Sequence, residues 1–189
     1  MKKNIHLSNL IIYFFCCLSL LFSFYFNEDG SYLPFSMDFK DTWPYVLKLK
    51  ESFFSDPYPY TVHYPLHYYL LSRLDLIFND PLIVRLFICF ISMIVPYIFF
   101  IALSEKYKGK NKNILFIVCL SFFFIPAFRY SSVWANDRIT TDIFILLGCY
   151  FFFKYEFLRI KNVKYLYISF LLFALACYSR QFYAVYYAL

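Results

Sequence analysis

The chain has 189 residues, of which 62% are hydrophobic and 26% aromatic, with only three glycines. Its mean hydropathy of +0.58 excludes an ordinary soluble domain, in which about half of the residues are apolar. The formal net charge is +6, but the lysines fall in short clusters between apolar stretches. That distribution is typical of cytoplasmic loops, so we predict an integral membrane protein and no nucleic-acid partner.

The first predicted element is a transmembrane helix near the N-terminus. The apolar run of residues 10–26 follows Lys2 and Lys3 and is long enough to span a bilayer. Because the run lacks an Ala-x-Ala-like cleavage site and further apolar runs follow, we interpret it as an uncleaved span and not as a signal peptide. The two lysines place the N-terminus in the cytoplasm, so the next segment is expected on the extracytoplasmic face.

The longest polar region of the chain, residues 27–80, is expected to form an extracytoplasmic loop subdomain. Two short juxtamembrane helices are predicted within it. The first begins with Asp41 or Thr42 as its cap and has Pro44 in its first turn. The second begins at Pro65, after which apolar residues recur at helical spacing. The first is too short and too charged to span a bilayer, and the second is amphipathic and is expected to lie at the membrane surface.

Further spans are predicted at residues 81–103, 114–128, 139–153 and 165–178. The lysine-bearing segments EKYKGKNKN and KYEFLRIKNVK follow the first and the third of them, which places both segments in the cytoplasm. The predicted fold is therefore all-α: a polytopic transmembrane helix bundle of about five spans, in which the first extracytoplasmic loop carries the two short helices. Residues 1–189 are expected to form a single membrane domain.

Carboxylates follow the first predicted span. Asp38 and Asp41 are three residues apart, so on a helical turn they share a face. There they can bind a cation, divide acid and base roles, or form nothing more than a solvated acidic entrance to the loop. His63 and His67 are spaced like two metal ligands on a helix, but Pro65 lies between them and breaks that geometry. No metal site and no cofactor are therefore predicted.

Charged residues also stand at the extracytoplasmic ends of the later spans. Asp137 and Asp142 either line a site or stabilise the positive N-terminal end of their helix. Arg180 has a planar guanidinium that suits a phosphate, and it can equally be an interfacial arginine that snorkels to the headgroups. The topology places these residues and the polar loop on the same side of the bilayer.

The order of these parts resembles the start of the GT-C glycosyltransferase superfamily, the polytopic enzymes that use polyprenyl-phosphate sugars. HYPLHYYLL resembles the proline-containing element that opens the second juxtamembrane helix of that group. The segments FFFIPAFRYSSVWANDRITTDIFILLGCYFF and CYSRQFYAVYY are similar to parts of the dolichol-pathway alpha-1,2-glucosyltransferases. The chain departs from their Tyr-Thr-Asp motif at residues 131–137, and Arg180-Gln181 is followed by Phe-Tyr in place of Thr-Asn.

The resemblance implies transfer of a sugar from a polyprenyl-phosphate donor to a lipid, glycan or protein acceptor on the extracytoplasmic face, with inversion. It implies Asp41, or alternatively Asp38, as the general base, where the family has an acidic pair. Cationic groups would steady the departing phosphate, and further carboxylates would position the acceptor. The candidate substrate-binding residues are Asp137, Arg138, Asp142, Arg180, Gln181 and His63.

Two other classes of protein are compatible with the sequence. In a transport component, Asp142 and Arg180 would line a pathway through the bilayer, although no chain of polar residues crosses the predicted spans. A non-catalytic multi-pass protein would hold a partner or a lipid, which the short length favours. Because GT-C enzymes are longer and this chain stops in an apolar stretch, we expect that the architecture continues in longer relatives or that the chain is truncated.

Overall fold

A computed structural model describes residues 7–28, 33–51, 66–108, 110–157 and 162–180, with the side chains of the second range described for residues 39–50. Every regular element in these ranges is a helix, so the prediction of an all-α fold is confirmed for them. The α-helices are α1 (Leu7–Tyr25), α2 (Leu33–Glu51), α3 (Leu66–Phe78), α4 (Pro81–Ser92), α5 (Val95–Lys106), α6 (Lys112–Leu120), α7 (Pro126–Val133), α8 (Asp137–Phe157) and α9 (Val163–Ser179), and a 3-10 helix (Ser121–Phe124) follows α6.

Two segments of the described chain are long and apolar enough to cross a membrane. One is α1, and the other is Pro81–Lys106, which comprises α4 and α5. A third candidate, α6 with its 3-10 turn followed by α7, is bent by 65°. These apolar helices indicate a membrane protein, whereas the larger number of about five spans and their orientation stay predictions.

Prolines interrupt two of the predicted spans. Pro96 has no N–H to donate to the carbonyl of Ser92, so the helix breaks at Met93 and Ile94. Pro126 favours an extended residue before it, and Ile125 has φ −80° and ψ 115°, which ends the preceding helix. The span predicted over residues 114–128 is therefore broken at Ile125, and α7 continues the helical chain as far as Val133.

The helix α2 begins earlier than the sequence predicted. Pro44 lies inside it and not in its first turn, and Asp41 and Thr42 are interior residues and not caps. The C-terminal ends of α2 and α3 are joined by the ammonium group of Lys50, which donates to Asp75 Oδ2 at 2.8 Å and to Asn79 Oδ1 at 3.1 Å. Asp75 is 3% exposed, so the Lys50–Asp75 ion pair holds the two helices together at a contact that is largely shielded from water.

The helices α8 and α9 pack with their backbones close together. A Cβ atom built on Gly148 would lie 2.5 Å from the ring of Phe173, and the Ser169 hydroxyl donates to the Gly148 carbonyl at 2.9 Å. Small residues at a helix interface let backbones approach in this way, which strengthens packing in a membrane.

Polar groups collect at two opposite ends of the bundle. The cavity end comprises Glu28, Arg85, Arg129, Trp134, Asp137 and Arg180. Arg129 binds Glu28, Arg85 stacks on Trp134, and Arg180 lies 3.9 Å from Asp137. The lysine end comprises Lys106, Lys108, Lys110, Lys112, Lys154 and Lys164. At the lysine end the Asn9 amide of α1 donates to Asn113 of α6 at 3.3 Å, and the ammonium group of Lys106 lies 5.3 Å from the ring of Phe153.

Candidate functional site at the cavity end

A small recess lies where α2 and α3 meet the turn between α7 and α8. Its volume is about 20 Å³, which is room for one water molecule or one hydroxyl group. The lining residues are Phe39, Thr42, His67, Tyr68, Tyr130, Trp134, Ala135, Asn136 and Asp137. Aromatic rings, an imidazole, an amide and a carboxylate thus surround a space of hydroxyl size.

The turn of residues 134–136 presents Asp137 to this recess. Ala135 has φ 50°, the left-handed conformation that reverses the chain between α7 and α8. The Asn136 side chain then accepts a hydrogen bond from the backbone N–H of Arg138 at 3.1 Å, as a residue that caps a helix does. The helix α8 therefore begins with the Asp137 carboxylate in the wall of the recess.

His67 holds this turn from the opposite helix. It is 1% exposed, and its Nε2 lies 2.8 Å from the Ala135 carbonyl oxygen. Because a carbonyl only accepts, we assign the proton to Nε2, so that Nδ1 accepts from the Thr140 hydroxyl at 2.9 Å. Sequence reasoning considered His67 only as half of a metal pair. Its spacing of four and eight from the buried Leu71 and Asp75 was the signal that places it on an interior face.

Two arginines and two aspartates surround the start of α8. Asp137 is 4% exposed, and its Oδ1 lies 3.9 Å from Arg180 Nη1, at the end of α9. One turn along α8, Arg138 Nε lies 3.7 Å from Asp142 Oδ2. Both distances are longer than a hydrogen bond, so each pair interacts by electrostatic attraction alone. The structure thus brings together residues from the start of α8 and the end of α9.

Arg85 backs the recess from behind Trp134. The guanidinium carbon lies 3.9 Å from the centre of the Trp134 ring, 5.2 Å from that of Phe24 and 5.4 Å from that of Phe39. Arg85 is 8% exposed, and no carboxylate among the described residues pairs with it. Such stacking on desolvated rings stabilises a guanidinium by about 2 kcal/mol.

Hydrogen bonds also fix the side chains of Arg85 and Trp134. The Nε of Arg85 donates to the Val133 carbonyl at 3.2 Å, and its Nη2 donates to Asn27 Oδ1 at 3.3 Å. The indole N–H of Trp134 donates to the backbone carbonyl of Glu28 at 3.2 Å. Trp134 is therefore held on one face and at one edge, and it still lines the recess.

Arg129 ties the end of α1 to α7. It donates to Glu28 Oε2 at 2.7 Å through Nη2 and to Oε1 at 3.1 Å through Nε, and it also contacts the Ser23 hydroxyl. These hydrogen bonds from Arg129 hold the pKa of Glu28 below its usual range. The same clamp fixes the Glu28 backbone, whose carbonyl accepts from Trp134.

The described residues that line the recess do not include the carboxylates predicted after the first span. Asp41 is exposed and does not line the recess, because it is turned by about 100° around α2 from Thr42, which does. Asp38 belongs to α2, but its side chain lies outside those described. His63 and Gln181 also lie outside the described residues, so their assignments stay predictions.

In the part of the chain that the structure describes, no group of three or more His, Cys, Asp or Glu side chains could hold a metal ion. All six cysteines are free. No protein-family model, no curated protein and no solved structure matches this chain. Function is therefore inferred from the chemistry of the cavity end and from the resemblance noted in the sequence.

Proposed function

We propose that the chain is an integral-membrane glycosyltransferase of the GT-C type. It would move a sugar from a polyprenyl-phosphate donor to a hydroxyl group of a lipid, glycan or protein acceptor. The observation that carries the proposal is the buried Asp137 carboxylate in a recess of hydroxyl size, with the Arg180 guanidinium 3.9 Å away. A hydrogen-bond acceptor for a hydroxyl beside a cation suited to phosphate is the combination that this transfer requires.

The distribution of charge supports an extracytoplasmic site. The six residues of the lysine end lie opposite the recess. Positively charged segments that flank membrane-spanning helices stay in the cytoplasm. The cavity end, with residues 27–80, would then face away from the cytoplasm. A lipid-linked donor would present its phosphate at the level where the apolar helix α1 ends and α4 begins.

The proposed reaction assigns a separate role to each charged group. The acceptor hydroxyl enters the recess and donates to Asp137, which orients it, while the rings of Trp134 and Tyr130 contact the apolar face of the sugar. As the hydroxyl oxygen attacks the anomeric carbon, its proton passes to a general base. The bond between that carbon and the phosphate oxygen breaks, and its electron pair leaves with the lipid phosphate, which Arg180 and Arg138 stabilise.

Asp41 remains the proposed base, with Asp38 as the alternative. Asp137 already faces Arg180, so we assign it to positioning, whereas Asp41 forms no ion pair with the described residues. Asp41 precedes Thr42, a lining residue, which places its carboxylate on the adjoining face of α2.

The proposal is tested with the purified 189-residue chain reconstituted in liposomes and supplied with polyprenyl-phosphate sugars. Asp41→Asn, or Asp38→Asn if that residue is the base, should lower turnover by about 10²- to 10⁴-fold. Asp137→Asn should lower kcat/KM by about 10- to 100-fold, as for a hydrogen bond to a charged group. Asp80→Asn is the control, because it removes a carboxylate but keeps the side-chain oxygen that caps α4.

Absence of transfer by the wild-type chain from every polyprenyl-phosphate sugar tested would reject the proposal. Unchanged turnover in Asp41→Asn, Asp38→Asn and Asp137→Asn would also reject it. A transport component is distinguished by the same liposomes, since it would move solute across the bilayer without forming a glycosidic bond.

A further inference from the structure

Within the described ranges, the lysine end carries more positive than negative charge. Among the described residues, Lys108 pairs with Glu105 at 3.0 Å, and the other members of the lysine end have no carboxylate partner. All are exposed except Lys154, which is partly buried. At a membrane surface, such an excess of exposed positive charge attracts anionic headgroups.

Two of these lysines are held in place by aromatic rings. The ammonium group of Lys106, at the end of α5, lies 5.3 Å from the ring of Phe153 on α8. The ammonium group of Lys154 lies 4.8 Å from the ring of Tyr165 on α9 and donates to the Tyr150 hydroxyl at 3.3 Å. Because Phe153 and Lys154 are neighbours, the two ammonium groups flank the same turn of α8, where it packs against α5 and α9.

Apolar surface adjoins this charged edge. Tyr167 and Val163 in the first turns of α9 are 70% and 48% exposed, and Phe157 at the end of α8 is 48% exposed. A ligand that matches both parts needs an anionic head and hydrocarbon tails. A phospholipid can contact the lysines with its headgroup phosphate and the adjoining apolar surface with its acyl chains, whereas a nucleic acid or free phosphate would contact the lysines alone.

We propose that the lysine end binds anionic phospholipid, with the headgroup phosphate between Lys106 and Lys154 and the acyl chains along α8 and α9. This inference does not depend on the proposed transfer reaction. Each lysine near a membrane surface strengthens binding of acidic lipid by about fivefold. The pair should therefore contribute selectivity for phosphatidylglycerol over phosphatidylcholine of about 25-fold.

The test uses the full chain reconstituted in phosphatidylcholine with spin-labelled phosphatidylglycerol or spin-labelled phosphatidylcholine. The fraction of motionally restricted label gives the relative association constant of each lipid. Lys106→Gln with Lys154→Gln should lower the selectivity for phosphatidylglycerol by about 25-fold. The matched control is Lys40→Gln with Lys48→Gln, which removes the same charge from exposed positions on α2 and should leave the selectivity unchanged.

A second pair of variants keeps the test decisive if the glutamine pair unfolds. Lys106→Arg with Lys154→Arg retains both charges and should retain the selectivity. The proposal is overturned if the glutamine pair binds phosphatidylglycerol as well as the wild type does. It is also overturned if the arginine pair loses the selectivity, or if the α2 control loses as much as the glutamine pair.

Discussion

Replacing Arg85 tests how a buried cation without a carboxylate partner is stabilised at the cavity end. We expect Arg85→Met to be more stable than Arg85→Lys, although lysine is the more conservative change by charge. The reason is that lysine keeps the buried charge but lacks the planar fork that makes two hydrogen bonds and stacks on Trp134.

The expected order follows from opposing free energies. In the wild type, two hydrogen bonds of a charged group contribute about 1.5–3 kcal/mol each, and stacking adds about 2 kcal/mol. Desolvation of the guanidinium opposes them by several kcal/mol. Methionine removes the gains and the cost together and leaves the Val133 carbonyl without this donor, for a net loss of about 1–2 kcal/mol. Lysine keeps the desolvation cost and loses one hydrogen bond and the stack, for a net loss of about 3.5–5 kcal/mol.

Unfolding in mixed detergent micelles measures these differences. The chain has two tryptophans, so a Trp43→Phe background makes Trp134 the only indole emitter. The emission of Trp134 should shift in both Arg85 variants, since the ring loses its stacked partner. A lysine variant as stable as the wild type, or a methionine variant less stable than the lysine one, would refute the reasoning.

Three further changes test contacts elsewhere in the fold. Gly148→Ala should destabilise the chain by about 1–3 kcal/mol through overpacking, and Phe173→Leu in the same chain should recover part of the loss, both measured by unfolding in detergent. Glu28→Gln should destabilise at pH 7. Because the folded pKa of Glu28 is lowered, its contribution is fully present above the unfolded value of about 4.3 and disappears as pH falls through the folded one. The wild type and Glu28→Gln should therefore converge in acid, and a constant difference between pH 7 and pH 3 would contradict this. Lys50→Met should cost about 3–5 kcal/mol by leaving Asp75 buried without its partner, and the double change with Asp75→Leu should restore most of it; equal losses in the single and double variants would contradict the pairing.

The helical fold was predictable because its signals are local. Apolar runs and lysine clusters lie within single segments, so α1 and Pro81–Lys106 could be recognised without tertiary information. The effect of a proline could not be recognised in the same way. Pro34 stands in a segment typical of a turn, yet it is the second residue of α2, where its missing N–H has no helical partner to lose.

The charged residues of the site could be predicted only in part. Asp137, Arg138, Asp142 and Arg180 stand at helix ends that an alternating topology brings together, so their neighbourhood follows from helix direction. Arg85 was overlooked, although an arginine four residues into the apolar run that starts at Pro81 is a signal in itself. Its partners Phe24 and Asn27 come from one distant segment and Trp134 from another, and no spacing in the sequence connects them to Arg85.

The bend at Pro126 has a consequence for the surrounding bilayer. Before the bend, Lys112–Phe124 contains 13 residues, which at the helical rise extend for about 20 Å. The hydrocarbon core of a bilayer is about 30 Å thick. A membrane-crossing segment shorter than the hydrocarbon core is accommodated by local thinning of the bilayer or by snorkelling of its flanking residues. In the proposed glycosyltransferase, local thinning would lower the water boundary toward the recess and shorten the path of a lipid-borne headgroup to Asp137.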